Sequence, residues 1–428
     1  MTAEQFLLSL INYERQVSPY YDFKLTRFRR FLSLIGNPQH QLANVILIAG
    51  TKGKGSTAHF IEAGLRAAGL KTGLFTSPHL LSIRERIKVN NQKIPAKAFA
   101  QLANMIKQTI EKSKNQKITF FEAITAIAFL YFVEQKVDYA ILEVGLGGRL
   151  DATNVVKPKI AVITRIGYDH TDILGKTLTK ISWEKAGIIH PKSYVVIAQQ
   201  RPSALKVIKK RIKKFGNNFC EVNKRVKVKN LKISLSATEF DTDKFGKIKL
   251  AVLGKHQIEN CCTALAVFDY LKTLDPRITI EKIKPGIASV QIPARCQIVN
   301  YKPITIIDGA HNPESCQALF DVINELIKTK VLIIFGASLG KLVSQMFKIL
   351  APIARAFILT QSQNPRHLPV STLAKLLAPY KIPYRLSNSV SSAIKLAEAQ
   401  PIRQPIVITG SFYVAGEAMR HIKRLVAG

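Results

Sequence analysis

One glycine-rich segment constrains the fold of this chain more than any other part of its 428 residues. The apolar run VILIAG (45–50) leads through TKGKG into STAHFIEAGLRAAG, which has a helical pattern. A buried strand that turns through glycines into a helix is typical of a parallel α/β sheet. Glycines let backbone N–H groups turn toward an anion, and the helix N-terminus adds partial positive charge. The segment therefore predicts a phosphate-binding loop with Gly50, Gly53 and Gly55 at its bends.

The loop differs from the ordinary P-loop, G-x-x-x-x-G-K-[ST], because Gly55 separates Lys54 from Ser56. Lys54 can offer a mobile positive charge to the β and γ phosphates of a nucleotide, and Ser56 or Thr57 can offer a hydroxyl to Mg²⁺. The alternative interpretation is a glycine-rich strand–helix turn that binds no ligand.

Strand patterns and helix patterns alternate along most of the chain. After residue 50 the predicted strands are YAILEVG (139–145), IAVITRIG (160–167) and YVVIAQQ (194–200), with FEAITAIAFLYFVEQ (121–135) as a helix. Alternation with period two in VKVKNLKISL and GKIKLAVLG, within residues 218–253, predicts an antiparallel appendage, and NCCTALAVFDYLKTL then predicts a helix.

A second α/β series follows SVQIPARCQ. Its predicted strands are ITIIDGA, KVLIIFGAS, RAFILT and PIVITGS, separated by helical patterns. The sequence therefore predicts an α/β protein with two domains. Residues 1–293 form a P-loop-type ATP-binding domain with a mostly parallel sheet, and residues 294–428 form a smaller doubly wound, Rossmann-like domain. Such a pair would place a ligand in the crevice at the carboxyl ends of the strands.

Composition narrows the class of protein. The chain has 63 Lys and Arg against 28 Asp and Glu, a net charge of +35. A solvated basic face is the favoured interpretation, followed by attraction of small anionic substrates and then by nucleic-acid binding. The five cysteines form no C-x-x-C pair, no apolar run reaches the about 18 residues of a membrane span, and the N-terminus lacks a signal-peptide pattern. We expect a cytoplasmic protein with no membrane partner.

Ten segments, in one order, resemble the folylpolyglutamate synthase/dihydrofolate synthase branch of the Mur-type ATP-dependent ligases. They are GTKGKGS (50–56), FTSPHL (75–80), TFFEA (119–123), LEVGLGGRLDATN (142–154), TRIGYDHTDILG (164–175), EKAGI (184–188), GKHQIENCCTA (254–264), PARCQ (293–297), DGAHNP (308–313) and GSFYVAGE (410–417). One departure lies after the strand VLIIFGAS, where the family usually has an acidic D-K-D turn. Here LGKLVSQ (339–345) keeps Lys341 without aspartates.

The resemblance implies Mg²⁺ coordination, in two sites, by Ser56, Ser77, Glu143 and His170. Glu143 ends the apolar run YAILEV, so its carboxylate should emerge at the carboxyl edge of the sheet. A carboxylate there suits Mg²⁺, which prefers oxygen ligands, whereas imidazole is not a favoured ligand. The assignment of His170 as a metal ligand therefore depends mainly on the resemblance. The alternatives are a structural carboxylate at a strand end and a packed or turn-capping histidine.

For ATP, the resemblance implies contacts from the loop residues Gly50, Gly53, Lys54, Gly55 and Ser56 and from Asn260, Arg295 and Asp308. The alternative for Arg295 is a hinge arginine at the domain junction. The resemblance also implies that Lys185 is carbamylated by CO₂, which requires a neutral amine and hence a lowered pKa. The alternative is an unmodified lysine that pairs with phosphate or Glu184. Lys54, Lys185 and His311 are the implied catalytic residues.

The implied substrate contacts are Asp22, Thr119, Phe120, Phe121, Glu122, Leu150, Asp151 and Ala152. An aromatic wall with a carboxylate suits a flat ring that carries N–H donors. FFEAITAIAFLYF fits a core helix equally well. The resemblance thus implies an ATP-dependent ligase, a monomer, that joins L-glutamate to dihydropteroate and to folate γ-carboxylates through an acyl phosphate. The alternatives are another Mur-type amino-acid ligase and a basic nucleic-acid-binding ATPase.

Overall fold

The structure, a computed structural model, describes residues 2–13, 24–113, 117–400 and 404–427, and side chains as far as residue 422. Two compact units divide the chain. The first contains Met1–Asn230, Phe240–Ile248 and Gln257–Val290, and the second contains Leu231–Glu239, Lys249–His256 and Gln291–Gly428. The division at residue 293 stays a prediction.

An eight-stranded sheet forms the centre of the first unit. Its strands are β1 (Val45–Ala49), β2 (Thr72–Phe75), β3 (Ile87–Val89), β4 (Gln92–Lys93), β5 (Tyr139–Glu143), β6 (Ile160–Ile163), β7 (Tyr194–Ile197) and β8 (Phe219–Glu221). Their order is β4-β3-β2-β5-β1-β6-β7-β8. Neighbours among the six strands β2, β5, β1, β6, β7 and β8 pair in parallel. The strands β3 and β4 extend the sheet at the β2 edge in antiparallel fashion. The predicted mostly parallel sheet is confirmed.

Helices up to residue 290 are α1 (Ala3–Ser9), α2 (Leu25–Leu34), α3 (Lys54–Ala67), α4 (Ala96–Lys112), α5 (Phe120–Glu134), α6 (Thr171–Leu174), α7 (Leu178–Ala186), α8 (Pro202–Phe215), α9 (Val222–Arg225), α10 (Lys255–Leu271) and α11 (Ile280–Ala288). Every residue of β1 and β5 is buried, as expected for strands covered on both faces. The helix predicted to start at Ser56 begins at Lys54, because Gly53 adopts the left-handed conformation that ends the loop.

The predicted appendage is a three-stranded sheet of β9 (Val228–Ile233), β10 (Thr238–Thr242) and β11 (Gly246–Leu250), in the order β11-β10-β9. Its middle strand, β10, was not predicted, although its residues alternate between buried and half-buried.

The second unit contains a six-stranded sheet. Its strands are β12 (Gln297–Tyr301), β13 (Ile304–Ile307), β14 (Val331–Phe335), β15 (Ala354–Leu359), β16 (Tyr384–Leu386) and β17 (Ile406–Thr409). The order is β12-β13-β17-β14-β15-β16, parallel except for β12. The helices are α12 (Pro313–Leu326), α13 (Val343–Leu350), α14 (Val370–Leu377), α15 (Val390–Glu398) and α16 (Phe412–Ala427). The predicted doubly wound α/β architecture is confirmed.

The basic run KVIKKRIKKFG (206–216), the first part of the most basic stretch of the sequence, lies almost wholly in α8. Ala204, Ile208 and Ile212 lie on its buried face, whereas Lys210 and Lys213 are exposed. An amphipathic helix with this pattern gives a solvated basic face. Among the described residues, no helix has both the length and the apolar character that crossing a bilayer requires.

Candidate active site

Four neighbouring strands of the first sheet end at one edge, and each leads into a segment that the sequence analysis selected. The strands lie in the order β2-β5-β1-β6 and run in parallel. Ser77 follows β2, Glu143 is the last residue of β5, the glycine-rich loop follows β1, and the segment with His170 follows β6. The carboxyl edge of a parallel sheet is the usual ligand site of such folds.

The glycine-rich loop is fastened to the segment after β6. Gly50 has φ +151°, and a Cβ on it would lie 1.8 Å from Oγ1 of Thr164. The backbone N–H groups of Thr51 and Lys52 both donate to the carbonyl of Arg165, at 3.0 and 3.2 Å. The Thr51 hydroxyl accepts from the N–H of Gly167 at 3.0 Å. The start of the loop is therefore held in place by the protein itself.

The end of the loop packs against α10. Gly53 has φ +84°, and a Cβ on it would lie 2.0 Å from Oδ1 of Asn260. The Thr57 hydroxyl also lies 3.5 Å from the Asn260 carbonyl oxygen. Two residues implied in nucleotide binding, Gly53 and Asn260, are thus in direct contact, although they are far apart in the sequence. Only glycine leaves room for this approach.

Glu143 lies beside the first turn of α3. Its Oε2 is 3.2 Å from where a Cβ of Gly55 would be, and it accepts a hydrogen bond from the backbone N–H of Ser77 at 3.1 Å. Ser56, which follows Gly55, and Glu143 are both buried. A carboxylate and a hydroxyl fit Mg²⁺, which takes oxygen ligands and completes its shell with water and phosphate oxygens. The described residues contain no cluster of three or more His, Cys, Asp and Glu side chains that could hold a metal without such help.

His170 occupies a different setting. It has φ +49° at the start of the short helix α6, and its side chain is 50% exposed. Its Nε2 lies 3.9 Å from a carboxylate oxygen of Asp169. Its role as a metal ligand, like that of Ser77, stays a prediction.

Lys185 is buried at the same loop. Its ammonium group donates to the carbonyl of Gly50 at 2.8 Å. Burial lowers the pKa of Lys185 to about 7, and the like charge of Lys54 contributes in the same direction. Lys54 and Lys185 therefore share one electropositive site, and Lys185 loses its proton far more easily than an ordinary lysine.

The predicted aromatic wall lies partly in the core. Phe120 is buried, with the guanidinium of Arg86 5.2 Å from the centre of its ring. Phe121 is half-buried, and a Cβ on Gly145, two residues after Glu143, would lie 2.5 Å from its ring. Phe121 therefore reaches the sheet edge that carries Glu143.

Three polar residues that the resemblance implies in substrate binding also stabilise local structure. Thr119 and Glu122 form a capping box at the start of α5, and the Glu122 carboxylate pairs with Arg27 at 3.0 Å. Asp151 accepts hydrogen bonds from the backbone N–H groups of Leu146 and Thr153. Burial raises the pKa of Asp151. Leu150 is half-buried and Ala152 is buried, whereas Asp22 lies outside the described residues. The substrate contacts stay predictions.

A second group of candidate residues lies in the second unit, at the carboxyl ends of the adjacent strands β13 and β17. The Asp308 carboxylate accepts hydrogen bonds from the backbone N–H groups of Cys296 at 2.8 Å and Ala310 at 2.7 Å. Ala294 and Cys296, on either side of Arg295, have φ of +54° and +44°. Asp308 therefore holds the irregular turn that presents Arg295.

The ring of Phe412 contacts both Arg295 and His311. The guanidinium of Arg295 lies 4.6 Å from the centre of the Phe412 ring, and the His311 ring lies 5.2 Å from it. Phe412 lies in GSFYVAGE, one of the segments that carry the resemblance, but its pattern predicted no role for it. His256 is another residue without a predicted role, and its pKa is lowered by burial and raised in part by Asp308.

Comparison with known proteins agrees with this geometry. Residues 48–268 match the Mur ligase middle domain, and residues 294–412 match the Mur ligase glutamate ligase domain. Dihydrofolate synthase/folylpolyglutamate synthase from Bacillus subtilis is 34% identical over 413 residues, which cover 93% of this chain and 95% of that protein. The chain belongs to the dihydrofolate synthase/folylpolyglutamate synthase family of Mur ligases.

Other members of the dihydrofolate synthase/folylpolyglutamate synthase family cover nearly the whole chain. Folylpolyglutamate synthase from Lacticaseibacillus casei is 32% identical over 95% of this chain and 97% of its own length. The structure of Escherichia coli FolC in complex with DHPP and ADP matches with a TM-score of 0.86 and 28% identity, over 100% of this chain and 99% of that one. Mycobacterium tuberculosis folylpolyglutamate synthase complexed with ADP matches with a TM-score of 0.86 and 30% identity, over 98% and 97%. The predicted family is confirmed.

Proposed function

We propose that the chain is an ATP-dependent ligase that joins L-glutamate to dihydropteroate and to the γ-carboxylates of folates. The observation that carries this proposal is the arrangement at the sheet edge: the glycine-rich loop lies against Asn260, and Glu143 and Lys185 lie beside it. Relatives solved with ADP, and one with DHPP as well, support the same assignment.

The proposed reaction needs activation, because a carboxylate does not react with an amine directly. ATP supplies a phosphoryl group that turns the carboxylate into an acyl phosphate, from which phosphate leaves when the glutamate amine attacks. Lys54 and the loop N–H groups stabilise the negative charge that develops on the transferred group. Glu143 and Ser56 would hold Mg²⁺, with Ser77 and His170 as the further ligands that the resemblance implies; a second magnesium site belongs to the same proposal.

In the second unit, Asp308 fixes the turn with Arg295, and Phe412 fixes the directions of Arg295 and His311. We assign Arg295 and Asp308 to nucleotide binding and His311 to orientation of a phosphate or of the incoming amino acid. On the substrate side, the half-buried Phe121 would stack on a flat ring.

Lys185 is suited to carbamylation, in which its neutral amine adds to CO₂ and releases one proton. With a pKa of about 7, the neutral fraction rises from about 10% at pH 6 to about 90% at pH 8. We therefore expect a carbamate signal in ¹³C NMR with ¹³C-bicarbonate, increasing from pH 6 to pH 8 and missing in Lys185→Met. A wild-type spectrum without that signal at pH 8 in saturating bicarbonate would contradict carbamylation.

The direct test of function is a substrate panel. The purified protein is mixed with Mg-ATP and either dihydropteroate or tetrahydrofolate, each with and without L-glutamate. We expect ADP release that depends on glutamate, together with an amide product detected by mass spectrometry. ADP without the amide, or no turnover with either acceptor, would refute the proposal. The ratio of the two rates shows how the two ligations are divided.

A further inference from the structure

The amide of Asn260 is fixed from two sides within the first unit. Its Oδ1 faces the Cα of Gly53, since a Cβ there would lie 2.0 Å from Oδ1 but 3.4 Å from Nδ2. Its Nδ2 donates to Oε1 of Gln257 at 3.0 Å. Gln257 and Asn260 are three residues apart on α10, so their side chains lie on the same face of the helix.

Gln257 is an unusual residue for this position. Its side chain is fully buried, and its Nε2 has no hydrogen-bond partner within the described part of the chain. A buried donor without an acceptor lowers stability, and native proteins rarely keep one without a reason. An apolar side chain of the same size would remove this cost, but it would also remove the acceptor of the Asn260 Nδ2–H, so the hydrogen bond to Asn260 is the contribution that only a polar residue makes here.

We propose that Gln257 is a positioning residue for the nucleotide site. Its Oε1 holds the amide of Asn260 so that Oδ1, the acceptor end, faces Gly53 and supports the end of the glycine-rich loop. A rotated Asn260 amide would direct its NH₂ group at the Cα of Gly53, where the hydrogens would collide. Gln257 thus acts on the phosphate-binding N–H groups through Asn260 and Gly53. The inference rests on the proposed nucleotide-binding role of this loop.

Substitution of Gln257 should affect the affinity for ADP and the stability of the protein differently. Gln257→Met removes the acceptor for Asn260 and also removes the unpartnered donor, so the two effects on stability oppose each other. Loss of one orienting hydrogen bond corresponds to about tenfold in a dissociation constant. We expect ADP to bind about tenfold more weakly to Gln257→Met, while the thermal midpoint stays within a few degrees of that of the wild type.

The experiment measures the Kd of Mg-ADP by calorimetry on the full chain, without folate or glutamate, for Gln257→Met, Asn260→Ala and the double variant. Because Gln257 acts through Asn260, the double variant should bind ADP no more weakly than Asn260→Ala. Thr263→Val is the matched control, since it also removes a buried polar group of α10, one that bonds only within the helix. It should leave the Kd unchanged.

A second variant keeps the test valid if Gln257→Met does not fold. Gln257→Glu, assayed at pH 6 where burial keeps the new carboxyl protonated, retains an acceptor oxygen and should stay within about threefold of the wild-type Kd. Unchanged ADP binding by Gln257→Met, or equal and additive losses in the double variant, would overturn the inference. If ADP binds as expected but no amide forms, the proposed ligase function fails and the inference on Gln257 stands.

Discussion

Lys54→Ala is expected to lower kcat/KM for amide formation by about 10³-fold, or about 4 kcal/mol of transition-state stabilisation. Lys54 is the first residue of α3, directly after the bend at Gly53, so its ammonium group can reach a phosphate held by the loop N–H groups. Charge on the transferred phosphoryl group develops in the transition state, so the loss should appear mainly in kcat. Steady-state ADP release and product mass spectrometry would measure it.

Stability should change little, because Lys54 is only half-buried and alanine is favoured in a helix. Lys97→Ala, which replaces an exposed lysine at the start of α4, is the control for loss of one positive charge.

A second effect distinguishes a local electrostatic role from misfolding. Lys54 helps to lower the pKa of Lys185, so the pKa of Lys185 should rise in Lys54→Ala and its carbamate should form only at higher pH. Full amide synthesis by Lys54→Ala would refute the proposed site.

In the first unit, the strands β1, β5, β6 and β7 could be predicted because they are continuous apolar runs between turn residues. β1 and β5 match the predicted strands within a residue or two, and the position of Glu143 at the sheet edge follows from its place at the end of β5. In contrast, β16 consists of three exposed residues and has no apolar pattern to reveal it. α8 was not predicted, although Ala204, Ile208 and Ile212 recur every four residues between its lysines and form its buried face.

Contacts within the candidate site were harder to predict, because periodicity carries no information on which distant segments meet. Nothing in the spacing of Gly53 and Asn260 shows that one packs on the other. The resemblance implied a lowered pKa for Lys185, but only the fold shows its cause, the burial of the amine against Gly50. The contact between Thr119 and Glu122, in contrast, could be predicted from the sequence. The pattern T-F-F-E is a capping-box signal, and the structure shows that box.

Gly53→Ala is expected to weaken nucleotide binding by about 100-fold, because displacement of a binding loop by about 1 Å is enough for a loss of that size. The new methyl group would lie 2.0 Å from Oδ1 of Asn260, which Gln257 holds in place, so the loop has to move. Gly69→Ala is a closely matched control. Gly69 has φ +83° against +84° for Gly53, but nothing lies within 4 Å of its added Cβ.

Both alanine variants should therefore share the strain of a left-handed conformation, about 1–2 kcal/mol, and the thermal midpoint of Gly53→Ala should fall further because its methyl group also meets Asn260. Only Gly53→Ala should lose ADP affinity in calorimetry. The double variant Gly53→Ala/Asn260→Ala locates the cause, since without the Asn260 amide the new methyl group meets far less obstruction. In that background Gly53→Ala should cost less than tenfold, a strong departure from additivity. Equal losses in both backgrounds would show that backbone strain at Gly53, rather than its contact with Asn260, governs the loop.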